Sequence, residues 1–193
     1  MDVRQRLFEY RSYTPIPFLI IMLLFAHPTP ISLLIGFCVV CTGEFLRLWG
    51  VAIAGSETRT TGPVGGTFLI TTGPFAYVRN PLYLGNMLLY FGIGIMSNAL
   101  VPWLAWIALF YFIFQYSLIV SLEEEYLIRT FGGDFARYCE AVPRFIPTFK
   151  KYTEGTHEQP ELNWSRGIAS ERRTMQAIGL LAVMLIVLWR LRG

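Results

Sequence analysis

Residues 71–85 read TTGPFAYVRNPLYLG, and they mark a border. Gly73-Pro74 is a turn signal, and residues 77–80 (YVRN) are polar and aromatic. Pro81 suits the first turn of a helix, where its missing N–H leaves nothing unsatisfied. From Leu82 to Ile95 the chain is then almost wholly apolar. A hydrophilic loop therefore runs into a membrane helix here, with Arg79 at its mouth. Two readings of that arginine stay open. It can snorkel at the interface beside an ordinary helix start, or grip an anion among exposed amide donors.

The rest of the chain agrees with a membrane setting. Of 193 residues, 54% are hydrophobic and 15% charged, and mean hydropathy is +0.47, well above the soluble average. The length favours a single domain over residues 1–193. A net charge of +3, scattered among apolar segments, does not suggest nucleic-acid binding. Three cysteines make no disulfide framework. Cys38 and Cys41 have CxxC spacing inside an apolar run without partner ligands, which reads as helix packing rather than a metal site.

Five apolar segments are expected to form helices: residues 16–26, 31–54, 81–95, 102–120 and 175–191. The first is short against the roughly 20 residues of a full span. Residues 55–72 are a Gly/Thr-rich loop that matches neither phosphate-binding glycine pattern. Beyond Ser121 a helix leaves the membrane, Gly132-Gly133 ends it, and a short amphipathic helix follows near 135–141. Residues 153–170 read as a solvated loop. The fold class is thus an all-α, polytopic membrane bundle of about five transmembrane helices, with a charged helical segment outside the bilayer.

Lys/Arg bias sets the orientation. The leader carries Arg4, Arg6 and Arg11, the second loop Arg59 and Arg79, and residues 129–173 eight Lys/Arg, while 27–30 and 96–101 have none. The leader, the Arg79 loop and the Glu123 segment therefore share the cytoplasmic side. Arg190 and Arg192 run against this pattern if the last helix crosses.

Polar groups inside the apolar segments need partners. Glu44 and Arg47, three apart, share one helical face. Asn86 and Tyr90 follow Tyr83 at helical spacing, and Tyr111 pairs with Gln115. These faces either line a substrate pocket or serve only as interhelical hydrogen bonds, and the spacing allows both. Glu123, Glu124 and Glu125 are either a solvated helix start or, with Arg79 and Arg144, a clamp for a zwitterion: carboxylate for ammonium, arginine for carboxylate or phosphate. Nearby tyrosine and phenylalanine faces suit a sulfonium.

GPFAYVRNPLYLG resembles the Arg-His-Pro-x-Tyr motif of the integral-membrane methyltransferases, which include the isoprenylcysteine carboxyl methyltransferases and phospholipid N-methyltransferases. EEEYLIRTFGGDFARYCEAVPRFIP is similar to their second signature. Both lie in the family's order around one helical hairpin, over residues 42–150, and the helix at 174–191 is extra. The resemblance implies S-adenosyl-L-methionine at the cytosolic face and a membrane lipid or lipidated substrate, with no metal. It carries Arg79 and Glu124 over as catalytic residues. Asn80, Pro81, Tyr83, Gly85, Glu123, Glu124, Tyr138 and Arg144 are carried over as cofactor-binding. Asn80 stands where the family has histidine, and Phe135 where tyrosine is common. An amide cannot titrate near neutral pH, so no scheme needing an imidazole base applies.

The expected reaction is methyl transfer from a sulfonium to a lipid-borne amine or carboxylate, with alignment as the protein's main task. Two other readings remain. An NADPH-dependent reductase of the sterol-reductase type shares an Arg-x-Pro-x-Tyr-x-Gly stretch. A non-catalytic scaffold or transporter is the other, although no internal repeat is visible.

Overall fold

The computed structural model describes residues 2–55, 69–155 and 158–192. Most of the Gly/Thr-rich loop, including Arg59, lies outside them. The described residues form six α-helices, a short 3₁₀ turn at Gly73–Ala76 and no strand: α1 (Val3–Tyr10), α2 (Pro15–Leu24), α3 (Pro30–Ala54), α4 (Pro81–Ser97), α5 (Trp103–Ala141) and α6 (Trp164–Arg192). Of these, α3, α5 and α6 are long and apolar enough to cross a bilayer; α2 and α4 are shorter apolar helices.

Helix starts follow local chemistry. Thr29 caps α3, accepting from the Ser32 amide at 3.1 Å while the Ser32 hydroxyl accepts from the Thr29 amide at 2.9 Å. Pro30 and Pro81 occupy first turns. Asn163 accepts from the Arg166 amide at 2.9 Å and caps α6. That cap sets α6 starting at Trp164, eleven residues before the apolar stretch begins, so residues 164–170 are helical rather than loop. Hydropathy places the start too late because Arg166, Glu171, Arg172 and Arg173 all lie in the first turns.

The tightest pairing joins α3 and α4, antiparallel, through glycines seven residues apart on each helix. A Cβ on Gly36 would fall 2.5 Å from the Gly92 carbonyl oxygen, and one on Gly43 2.7 Å from that of Gly85. Without side chains there, the two backbones approach directly. The core on the other side of α4 is aromatic: Tyr90 and Phe112 have ring centroids 4.5 Å apart, and Tyr83 and Tyr116 4.8 Å.

The first apolar segment does not make a continuous crossing. At ten residues, α2 rises only about 15 Å, half the hydrocarbon thickness. It is preceded by α1, and a break at residues 11–14 separates the two. Arg4 of α1 pairs with Glu125, Thr14 donates to Gln115 at 3.0 Å, and the His27 amide reaches Ser97 O at 2.9 Å. Together the two short helices follow α5 and end beside the end of α4. The last helix, α6, runs the whole length. Gly167 packs against Ala52 at the end of α3, and Arg192 donates to Ala26 O at 2.6 Å beyond α2.

Candidate functional site

Where α4 begins, two distant stretches are stitched together by backbone hydrogen bonds. The Arg79 amide donates to Pro143 O at 2.9 Å, Thr148 to Tyr77 O at 2.9 Å, and Tyr152 to Ala76 O at 3.0 Å. Their approach depends on a bend in α5. Gly132, at φ +52° and ψ −122°, interrupts the helix so that residues 133–141 take a new direction. A Cβ is disfavoured in that conformation. The bend carries Phe135 and Tyr138 into a small core with Leu69, Ala76, Val142 and Tyr152.

Arg79 and Glu124 meet at the centre of this junction. Nη2 of Arg79 lies 2.9 Å from Glu124 Oε1, and its Nη1 donates to the carbonyls of Cys139 and Val142, each at 2.8 Å. Arg144 approaches the same carboxylate, with Nε 3.2 Å from Oε1 and Nη2 bonded to Oε2. Two guanidinium groups thus share one carboxylate, leaving one positive charge in excess. Beside them Glu123 is held by the Tyr83 hydroxyl at 2.6 Å. The Asn80 side-chain amide donates to Arg144 O at 3.2 Å, fixing the backbone of the closing segment.

These groups border a cavity of about 790 Å³, within the range of small-molecule sites. Of the expected site residues, Arg79, Asn80, Pro81, Tyr83, Glu123, Glu124 and Tyr138 line it, as do Arg47, Asn86 and Tyr90 further along. Tyr138 presents its ring, since its hydroxyl is bonded to Phe75 O at 2.7 Å.

Five expected residues stand elsewhere. Gly85 faces α3, not the cavity, because the helix contact with Gly43 requires it there. Arg144 lies behind Glu124. Glu44 lies behind Arg47, at 3.6 Å, rather than on the wall. Gln115 is buried against Thr14, and Tyr111 packs on Phe18 with ring centroids 5.2 Å apart, so both serve the contact with α2. The expected polar pair on α5 is therefore interhelical packing.

Arg11 and Glu171 are among the wall residues that escaped sequence reasoning. Arg11 lines the cavity from the break between α1 and α2, its guanidinium carbon 3.9 Å from the Phe8 ring centroid. Glu171, 1% exposed, projects from α6 and binds Arg47 Nη2 at 2.5 Å. A lone acid ahead of an apolar run reads as a flank, and no spacing rule separates it from Arg172 and Arg173.

Residues 31–134, more than half the chain, match the phospholipid methyltransferase family. The chain belongs to that family. The matched segment runs from α3 into α5 and includes Arg79 and both central glutamates, but stops short of Arg144 and α6. Among similar proteins, a cobalt-zinc-cadmium resistance protein, CzcN, of Cupriavidus metallidurans is 28% identical over 89% of this chain and 76% of its own. A nickel-cobalt-cadmium resistance protein, NccN, of Alcaligenes xylosoxydans is 30% identical over 65% of this chain. The protein-S-isoprenylcysteine O-methyltransferase of Schizosaccharomyces pombe is 30% identical over 58% of it. The chain spans about half the length of the last two, 54% and 48%. No solved structure matches. Membership of the phospholipid methyltransferase family, with the apolar helices, supports an integral-membrane methyltransferase.

Proposed function

We propose that the protein uses S-adenosyl-L-methionine to methylate a membrane-embedded lipid or lipid-modified substrate. The cofactor, when bound, supplies an activated methyl group on a sulfonium. The donor set fits its amino-acid end. Arg79 and Arg144 against Glu124 leave a positive balance for a carboxylate, and Glu123 offers a carboxylate to an ammonium. The aromatic walls, Phe75, Tyr83, Phe135 and Tyr138, suit a sulfonium. The observation that carries this reading is the zwitterion-matched rim on a cavity of a methyltransferase-family chain.

The roles of the two glutamates separate here. Both oxygens of Glu124 are engaged by guanidinium groups, so it holds the arginines in place, and Glu123 is the residue that meets the ammonium. Asn80 secures the closing segment through Arg144 O and is no base. The remaining task is alignment: a rigid rim and the continuation of the cavity along α4 hold the acceptor near the methyl group and exclude water. On this reading the site faces the cytoplasm, as the Lys/Arg bias requires.

Family membership favours this over a reductase or a non-catalytic scaffold. The test is titration of the purified chain with S-adenosylmethionine and with NADPH, followed by incubation with methyl-labelled cofactor and a membrane lipid extract. Saturable cofactor binding and a labelled lipid are expected. Binding of NADPH alone would reject the proposal.

A further inference from the structure

Four arginines line the cavity among the described residues, and they differ in how many donors are already spent. Arg79 gives Nε and Nη2 to Glu124 and Nη1 to two backbone carbonyls. Arg47 gives Nη1 to Asn86 and Nη2 to Glu171. Arg173 is exposed, and a charge pair formed in water contributes little. Arg11 is half-buried and spends a single N–H, from Nη1 to Phe8 O at 2.6 Å. No carboxylate among the described residues pairs with it.

The Arg11 guanidinium is nonetheless held in place. Its carbon sits 3.9 Å from the centroid of the Phe8 ring, and Phe8 is itself buried. Ring and carbonyl of one residue thus fix the group at the end of α1 and leave its other donors unused. Capping the helix needs only the bond to Phe8 O. The charge of Arg11 also acts on Glu123 and on the Tyr83 hydroxyl. Tyr83 occupies Oε1 of Glu123, and Oε2 has no donor among the described residues. An α-amino acid carries its ammonium and carboxylate on one carbon, so a partner for each must border the same small space. Glu123 serves the first, and Arg11 is the neighbouring arginine with donors to spare for the second.

We propose that Arg11, splinted by Phe8, grips the carboxylate of S-adenosyl-L-methionine while Glu123 meets its ammonium. Arg79 and Arg144 then contribute a positive field and hold the junction together, and the directed contact comes from the break between α1 and α2. That break precedes residues 31–134, so the family-matched segment does not contain this half of the clamp. The inference deepens the methyl-transfer reading and rests on it.

The test is calorimetric titration of the full chain in zwitterionic-lipid nanodiscs with S-adenosylmethionine and with its decarboxylated analogue, which keeps the ammonium and the sulfonium. The unsubstituted chain should bind the cofactor about tenfold tighter than the analogue. Arg11→Gln should weaken cofactor binding by about the same factor and leave the analogue unchanged, so that the preference disappears. Arg11→Lys keeps the charge without the fork and should restore part of it. A purely structural role for Arg11 would weaken both ligands equally, and that result overturns the proposal. So does a preference that survives Arg11→Gln, or one that Arg173→Gln abolishes instead. Equal affinity of the unsubstituted chain for the two ligands overturns it even if no variant folds. Failure of the unsubstituted chain to bind either ligand defeats the methyl-transfer reading, and the assignment of Arg11 with it. Cofactor binding that ignores the carboxylate defeats the assignment alone.

Discussion

Arg79 makes more directed contacts than a snorkelling side chain needs: one carboxylate and two backbone carbonyls of the closing segment. Lysine cannot reproduce that planar fork. Arg79→Lys should therefore weaken S-adenosylmethionine binding at least tenfold, measured by titration, with a smaller change in melting temperature. The glutamates should part company in the same two assays. Glu124→Gln leaves two guanidinium groups, one of them 12% exposed, without their shared charge, and should cost about 3 kcal/mol of stability. Glu123→Gln keeps an acceptor for the Tyr83 hydroxyl, so it should melt near the parent temperature while losing cofactor affinity. If Glu124→Gln is the stable variant and Glu123→Gln the unstable one, the assigned roles are reversed.

At the scale of elements, two glycine devices place the site. The α3–α4 contact sets the height of Arg47 against Asn86. Gly43→Ala and Gly92→Ala push a methyl into facing backbone at 2.7 and 2.8 Å, so both should lower the melting temperature, with an overpacking cost of about 1–3 kcal/mol. Gly179 has no atom near its would-be Cβ, and Gly179→Ala is the matched control, expected to be neutral or stabilising. The bend at Gly132 is the other device. There too a Cβ meets nothing within 4 Å, so the cost of Gly132→Ala is purely conformational, about 1–2 kcal/mol. Because the bend directs Tyr138 and Arg144 toward Arg79, this variant should also bind cofactor more weakly. Gly133→Ala, at ordinary helical geometry, should not.

Across the whole molecule, the chain closes one end of the bundle with its own N-terminal segment. Phe8 is buried, Arg11 reaches the cavity, and Arg4 pairs with Glu125, next to the two glutamates of the rim. The exposed Arg4–Glu125 pair is a weak tie, screened by salt, whereas the Phe8 ring is the anchor. Phe8→Ala should cost about 3 kcal/mol and open residues 11–14 to proteolysis. Arg4→Ala should leave both melting temperature and cleavage near those of the parent. Equal cleavage of the two variants would show that charge, not burial, holds α1 in place.

Hydropathy and end signals alone determined the membrane class, the positions of α3, α4 and the bilayer part of α5, and the two polar stretches of the rim. These are local properties: an apolar run must be helical in lipid, and proline, glycine and capping residues mark its ends whatever packs around it. The start of α6 was hidden by its charged first turns, and the crossing of α1 and α2 by its broken form. Which polar residues share a cavity was decided by tertiary structure. Spacing put Tyr111 and Gln115 on a polar face as clearly as Asn86 and Tyr90, yet the first pair meets α2 and the second the cavity. It could not pair Arg47 with Glu171, 124 residues away, because a charge finds its partner by proximity in the folded bundle, and sequence periodicity records only the helix on which each one sits.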